Sequence, residues 1–525
     1  MHHPLLYLFF SFFSFFFFFF LPTTSSPSPE LIQACKSSRF PDSCSQRLSS
    51  ALPSLPPSPS ASTIILSVFK SSLHDIPTAI SITHSILANS PAASNLSSAA
   101  HNCLEVLPYS FRRLSAASNL SSADARYWAA AAQQYLSGCS STLQAAKTSA
   151  FIAELANRTS DGLAMLATLQ RYGTNMTLWA PAQTERDGYW GPPTSSESYD
   201  GRRGVPKEMA VNLTVCGEGD GCDHRTVQEA VDDAPANVTG EWFVIRIGEG
   251  VYDEIVRVPF EKTNLVFWGD GMGRTVITGN LSVGMPGIST YSSATVAVAG
   301  DGFMARDVTI RNTAGPESHQ AVAFRSTADH TVLDTVEISG HQDTLYPHSL
   351  RQFYRSCVIS GTVDFIFGNA AAVFEDCLLL ILPRQLNPTG IETDTITAHG
   401  RSDPAQPTGF VFRRCVVNGS AEYWTGYTGN PAVHRVYLGR PWKEYSRTVF
   451  VESYLEGIVR PEGWTDWVRD FGLSTLYYGE YGSAGPGANV GSRVTWSDQI
   501  PAVHVGVYSV DNFIQGDRWI PQVDL

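Results

Sequence analysis

The 525-residue chain has a net charge of −13, and the imbalance is local: residues 207–525 hold 23 Lys and Arg against 38 Asp and Glu. So acidic a second half argues against a nucleic-acid partner and against long-range attraction to a polyanion. None of the nine cysteines forms a C-x-x-C pair, which leaves zinc and thioredoxin-like chemistry without support, while their number fits an oxidising compartment.

In chain order, Leu5 to Leu21 is an uncharged run of Leu, Phe, Tyr and Ser, followed by Pro22 and small polar residues. This layout predicts a secretory signal peptide over residues 1–26 rather than a retained membrane anchor. Eight N-x-S/T sequons, from Asn95 to Asn418, agree with export as a glycoprotein. The expectation is a secreted, extracellular monomer with no membrane contact once the leader is removed.

Residues 27–171 are rich in Ala, Ser and Leu and carry apolar residues at helical spacing. Ile65, Phe69, Leu73, Ile76 and Ile80 share one face, as do Leu155, Leu163, Leu166 and Leu169. They predict an all-α four-helix bundle with an N-terminal hairpin. Cys35 and Cys44 flank a short loop, KSSRFPDS, and Cys103 and Cys139 lie on two long helical segments that a bridge can tie together. The octamer AASNLSSA at Ala92 and Ala116 reads as two similar loop or helix-start sequences. The cysteine placement and helix pattern resemble the pectin methylesterase inhibitor domain. That resemblance implies a pro-region able to cover a catalytic groove.

Residues 172–206 mix Pro, Gly, Ser and charge without a period and read as a linker. Its dibasic stretch is Arg202-Arg203-Gly204-Val205. A second, Arg112-Arg113-Leu114, sits in a helical stretch that a protease reaches poorly.

Residues 207–525 open with Thr226 and Glu229 in capping-box spacing and with Cys216 and Cys222 across a Gly-rich loop, as plausible partners. Short strands rich in Val, Ile, Phe and Gly follow. From His319 to Asn369, Gln320, the pair Gln342 and Asp343, and Asp364 recur at intervals of 22 and 21 residues, between ladder segments such as TVLDTVEISG and QFYRSCVISG. That period predicts an all-β parallel solenoid, with equivalent positions about 4.8 Å apart on successive coils. Two carboxylates and two carboxamides then share one patch of wall. Like charges a coil apart, beside the apolar VDFIF, push their pKa values apart, giving one nucleophile and one general acid. The carboxamides donate without titrating, which suits an oxyanion. The pattern points to acyl transfer. A glycosidase needs no Gln pair, and a calcium-dependent lyase needs more carboxylates.

QAVAF at Gln320, GHQDTLY at Gly340, GTVDFIFGNA at Gly361, LGRPW at Leu438 and GVYDE at Gly250 resemble the ordered motifs of the pectin methylesterases. The resemblance implies a right-handed parallel β-helix, with Asp364 as nucleophile, Asp343 as acid then base, and Gln342 and Gln320 as the oxyanion hole. Arg440 would orient Asp364, and Trp442, with Trp464 as a weaker candidate, would line a sugar groove. It further implies methyl-esterified homogalacturonan as substrate, the chain's own N-terminal inhibitor-like domain as partner, a cell-wall location, and no cofactor or metal. Cys357, Cys377 and Cys415 occupy one place in successive ladder segments, where geometry permits Cys357–Cys377 or Cys377–Cys415. The family's usual pattern favours Cys377–Cys415. His341 and His399 stand where the family has Tyr and often Gln, and His341 either shifts the acid's titration or is a groove residue. The rival reading is a catalytically silent cell-wall binding or inhibitory protein.

Overall fold

Six α-helices occupy residues 29–172: α1 (Pro29–Cys35), α2 (Pro41–Ala51), α3 (Ala61–Ala88), α4 (Asn95–Ala117), α5 (Ala125–Thr142) and α6 (Ala150–Tyr172). The computed structural model describes residues 27–523 apart from 145, 147–148, 192–202, 218–220, 386–387 and 389. The leader expected over residues 1–26 and Arg202 of the linker therefore lie outside the described residues. Ser60 and Ser94 start α3 and α4 by accepting from the backbone N–H three residues on, at 3.2 and 3.1 Å. Helices α3 to α6 close a four-membered ring of contacts and bury Ile65, Phe69, Leu107, Leu136 and Leu163. The α1–α2 hairpin is tied by Cys35–Cys44, and α4 is tied to α5 by Cys103–Cys139.

The second half winds into three parallel sheets of 11, 7 and 8 strands, visited in rotation. This is a right-handed parallel β-helix. Like residues stack in its lumen because coils align in register. Tyr354, Phe374, Phe412 and Phe450 are successive rungs, with near-parallel rings 4.6, 4.5 and 4.6 Å apart. The corner between the 11-stranded and 8-stranded sheets turns on a single left-handed residue: Asp307, Thr335, Ser356, Asp376, Arg414 and Glu452 all have φ between 49° and 56°. Helix α7 (Val227–Asp233) has the expected capping box of Thr226 and Glu229, joins Val227, Ala230 and Val231 to the lumen core, and donates its first N–H groups to Glu254. Cys216 bonds Cys222 beside it.

One expected bridge is corrected. Cys357, Cys377 and Cys415 are buried free thiols. Their Sγ atoms instead point at carbonyl oxygens of the neighbouring strands 3.3–3.5 Å away, as with Cys377 to Glu375 and Cys415 to Phe374.

The bundle lies along the corner where the 7-stranded sheet turns into the 11-stranded one, and it meets that corner coil after coil. Arg112 pairs with Glu261, Arg113 with Asp301, and Trp128 bonds Asp329. Tyr135 meets Ser349, Gln133 meets Gln406, and Arg39 reaches Ser402. The second dibasic pair is thus a docking contact.

The linker's end belongs structurally to the β-helix. Arg355 donates to the Arg203 carbonyl at 2.8 Å, Arg306 to those of Val205 and Pro206 at 3.0 Å, and the Val205 N–H reaches Asp334 at 3.1 Å. Val205 is buried. Val205→Ala therefore costs about 2 kcal/mol, read as a lower midpoint in urea; an unchanged midpoint would mean the strap's hydrogen bonds alone hold it.

Candidate active site

Gln320 and the Gln342-Asp343 pair lie on consecutive coils, just before the strands Phe324–Ser326 and Leu345–Pro347 of the 7-stranded sheet, and Asp364 is the second residue of the next strand, Val363–Gly368. Backbone bonds stitch the coils: Ala321 N–H to Gln342 O at 3.1 Å, and Asp343 N–H to Val363 O at 3.1 Å. Gly361 permits this approach, since a Cβ there would stand 2.7 Å from the His341 carbonyl oxygen.

Both acids sit on irregular backbone. Asp343 has φ 64° and Asp364 φ 50°, and the register slips by one residue between Val363 and Ile366. Such a bulge re-aims a side chain that regular alternation would place elsewhere. Phe365 and Ile366 are both turned into the core. Left-handed backbone costs an L-residue about 1–3 kcal/mol and persists only where the surroundings impose it.

Arg440 grips Asp364 with both prongs, Nε to Oδ1 at 2.8 Å and Nη2 to Oδ2 at 2.6 Å. Its guanidinium lies over the Trp467 ring, 4.3 Å from the centroid. Thr395, on the following coil, donates its hydroxyl to Asp364 Oδ1 at 2.6 Å and accepts the Asp364 N–H at 3.0 Å. Sequence reading missed Thr395 and Trp467. Thr395 lies 31 residues beyond Asp364 in a longer coil, outside every motif, and Trp467 sits in a loop with no period. Thr395→Val removes a hydrogen bond to a charged group, worth about 1.5–3 kcal/mol, and leaves Arg440 as the one side chain among the described residues that holds the Asp364 carboxylate.

Asp343 is buried and makes no side-chain hydrogen bond among the described residues. Burial first, and the Asp364 carboxylate second, push its carboxyl well above the usual range, against a smaller opposing pull from Arg440. It is thus poised as a proton donor. The Gln320 and Gln342 side chains are half-buried and free of hydrogen bonds to other described residues.

Trp442 is half-buried, its ring edge-on to Phe367 at 5.9 Å and packed against Gly400. With Tyr346 and Phe367, whose rings stack at 4.1 Å, it gives the outer face of the sheet an aromatic floor. Trp464 is a correction: it is 1% exposed and stacked on Tyr478 at 4.3 Å, so it is core and not groove. His341 is half-buried, its Nδ1 lacking a hydrogen-bond partner among the described residues; burial alone lowers its basicity, and Asp343 feels Asp364 and Arg440 rather than His341. His399 is wholly buried. Its Nδ1 receives the Arg401 and Arg447 N–H groups, and burial holds it neutral.

Residues 212–517 match the family described as Pectinesterase, and residues 30–168 match Plant invertase/pectin methylesterase inhibitor. A probable pectinesterase/pectinesterase inhibitor 64 of Arabidopsis thaliana is 49% identical over 503 residues, covering 93% of this chain and 83% of that one. The Prunus persica pectinesterase/pectinesterase inhibitor PPE8B is 39% identical, over 86% of this chain and 87% of its own. Among solved structures, the pectin methylesterase from carrot superposes with a TM-score of 0.56 at 42% identity, over 60% of this chain and 96% of that one. With two carboxylates, an arginine clamp and paired amides on a parallel β-helix, this chain belongs to the pectinesterase family, and it carries an inhibitor-family domain ahead of its esterase domain.

Proposed function

We propose that the chain hydrolyses the methyl esters of homogalacturonan, releasing methanol and pectate, and that Asp364 is the nucleophile. The observation that carries this reading is the asymmetry of the two acids: Asp364 is clamped by Arg440 and Thr395, while its neighbour Asp343 is kept protonated by burial. A clamped carboxylate attacks the ester carbonyl in a fixed direction. The negative charge that grows on the carbonyl oxygen is met by the Gln320 and Gln342 amides. Collapse of the tetrahedral intermediate breaks the C–O bond to the methoxy group. Asp343 gives that oxygen its proton, and methanol leaves. Asp343, now a carboxylate, takes a proton from water. The hydroxide attacks the acyl–Asp364 anhydride and breaks its bond to Asp364, freeing galacturonic acid, which loses its proton to solvent, and restoring Asp364 as carboxylate and Asp343 as acid. Trp442, half-buried against the buried rings of Tyr346 and Phe367, offers stacking surface to a sugar chain. The acidity of the β-helix half favours an esterified, nearly neutral stretch of polymer over pectate.

The same reading divides the chain into a leader at 1–26, an inhibitory helical domain at 27–171, a linker at 172–206 and the esterase at 207–525, secreted to the cell wall as a monomer. Support for inhibition comes from where the bundle sits. Glu105 of α4 bonds the Tyr291 hydroxyl at 2.8 Å, and Tyr135 of α5 stacks on His348 at 5.5 Å. Arg325 is thereby buried beside Tyr346, on the strand face that also leads to Asp343. A sugar chain crossing that face meets the bundle.

The test is methanol release from highly esterified pectin by the full chain and by residues 201–525, which keep the strap. The shorter form releases methanol at least ten times faster. Equal rates would discard the inhibitory role, and no methanol from either folded form would leave a silent wall-binding protein.

A further inference from the structure

Where α5, α6, the linker and the β-helix meet, there is a cleft of about 420 Å³, the size of a small-molecule site. Among the described residues its charged lining is four guanidiniums, Arg126, Arg171, Arg401 and Arg447, and one carboxylate, Glu185. This surplus of positive charge lies in a molecule whose β-helix half is strongly acidic.

The arginines are unequally compensated. Arg447 pairs with Glu185 at 2.7 Å. Arg171 reaches the amide oxygen of Gln183 at 3.0 Å and lies over the Tyr189 ring, 3.5 Å from its centroid. Arg126 donates Nε to the Ala405 carbonyl at 2.7 Å, and Arg401 donates to the carbonyls of Gln406 and Pro404 at 3.0 and 2.6 Å. Neither has a carboxylate within ion-pair reach among the described residues. The nearby Asp403 is engaged by the Ser160 hydroxyl and the Ala405 N–H instead. Arg401 is 3% exposed, and burial, with Arg447 beside it, pulls it down to about 9; burial and then Arg447 also lower Arg126, against a pull upward from Tyr127. A buried charge without a direct ion pair is costly, and an anion accepting from the guanidinium N–H groups that these carbonyls leave unengaged relieves it.

We propose that this cleft binds a carboxylate-bearing sugar, namely the unesterified galacturonate unit that the esterase reaction leaves behind, held between Arg126 of the helical domain and Arg401 of the β-helix. Tyr172 and Tyr189 line the same cleft and present ring surface suited to a pyranose. The choice of sugar rests on the esterase reading; the positive cleft does not. A ligand gripped from both domains stabilises their docked arrangement by mass action. The de-esterified product would then strengthen the contact between helical domain and esterase.

The experiment is calorimetric titration of the full chain with digalacturonate, with its dimethyl ester and with inorganic phosphate, repeated on Arg126→Gln and on Trp442→Ala. Digalacturonate binds, the diester binds at least tenfold more weakly, Arg126→Gln raises the digalacturonate Kd at least tenfold, and Trp442→Ala leaves it unchanged. Loss of binding in Trp442→Ala with retention in Arg126→Gln would put the sugar in the catalytic groove and overturn the assignment. Phosphate binding as tightly as digalacturonate would overturn the sugar and leave a general anion site, and no binding of any anion would overturn both. Hydrogen exchange on the unsubstituted chain decides the point without any variant. Added digalacturonate protects residues 180–189 and 401–408, whereas protection confined to 341–347 and 363–368 would sink the proposal. Methanol release from the same preparation is scored separately, so a failure of the esterase reading is recognised as such.

Discussion

Asp364→Asn lowers methanol release by on the order of 10⁵-fold, because it removes the proposed nucleophile and leaves the rest of the site in place. Asparagine has nearly the volume of aspartate, and its carbonyl oxygen still accepts the hydroxyl of Thr395, now 2.6 Å from Asp364 Oδ1. The fold should therefore survive, and circular dichroism of the variant should match the parent. Arg440→Lys is the companion measurement. Lysine keeps the charge but cannot span both carboxylate oxygens, which Arg440 holds at 2.8 and 2.6 Å. Its loss is about 10²-fold, and it falls on kcat. If Asp364→Asn retained more than a hundredth of the parent rate, the covalent step would have to be assigned elsewhere.

Asp343→Asn lowers methanol release by about 10²- to 10⁴-fold, the usual value of a general acid, its proposed role, and it makes the protein more stable. The sign follows from the burial that keeps Asp343 protonated. A carboxyl whose folded pKa is raised above its unfolded value, about 3.9, adds stability that is fully present below that value and is lost as pH rises through the folded pKa. Asparagine does not titrate. The melting temperatures of parent and variant should therefore run together below about pH 4 and separate above it, with the variant higher by a few degrees at neutral pH. Parallel curves throughout would mean that Asp343 is not held in its protonated form. The site is thus built at a cost in stability.

The solenoid was legible because its chemistry obeys its period. Gln320, the Gln342-Asp343 pair and Asp364 stand one coil apart in space and about one coil apart in sequence. Thr395 obeys no such rule, since the coil carrying it is lengthened by an excursion before the strand Glu392–His399. The one-residue corners were illegible for a different reason: Asp, Thr, Ser, Asp, Arg and Glu share no turn signature, and stacked neighbours on both sides force the left-handed backbone that their own preferences oppose. The octamer AASNLSSA shows the same limit in the helical half. At Ala92 its serine caps the start of α4, whereas at Ala116 the same eight residues end α4 and form the loop after it. Local sequence offered a helix start at both places, and packing chose between them. Trp464 misled because a tryptophan late in a sugar-enzyme sequence suits groove and core equally, and the Tyr478 ring beneath it decides. The ladder cysteines misled because adjacent rungs satisfy a disulfide's Cα separation whether or not the bond forms.

The bundle's seat on successive corners of the coil makes residence time, and not tethering, the quantity that governs its departure. Contacts spread over many rungs must break together or unzip from an end. The ends are the weak places: Arg112–Glu261 at one and Arg39–Glu444 at the other are solvent-washed ion pairs, which salt screens. Toward the middle, Arg113 with Asp301 and Arg351 with Asp124 and Asp329 bury their guanidiniums and are screened far less. A nick in the linker would leave the two parts together. Ionic strength would fray the ends quickly and release the middle slowly, so separation would lag well behind cleavage.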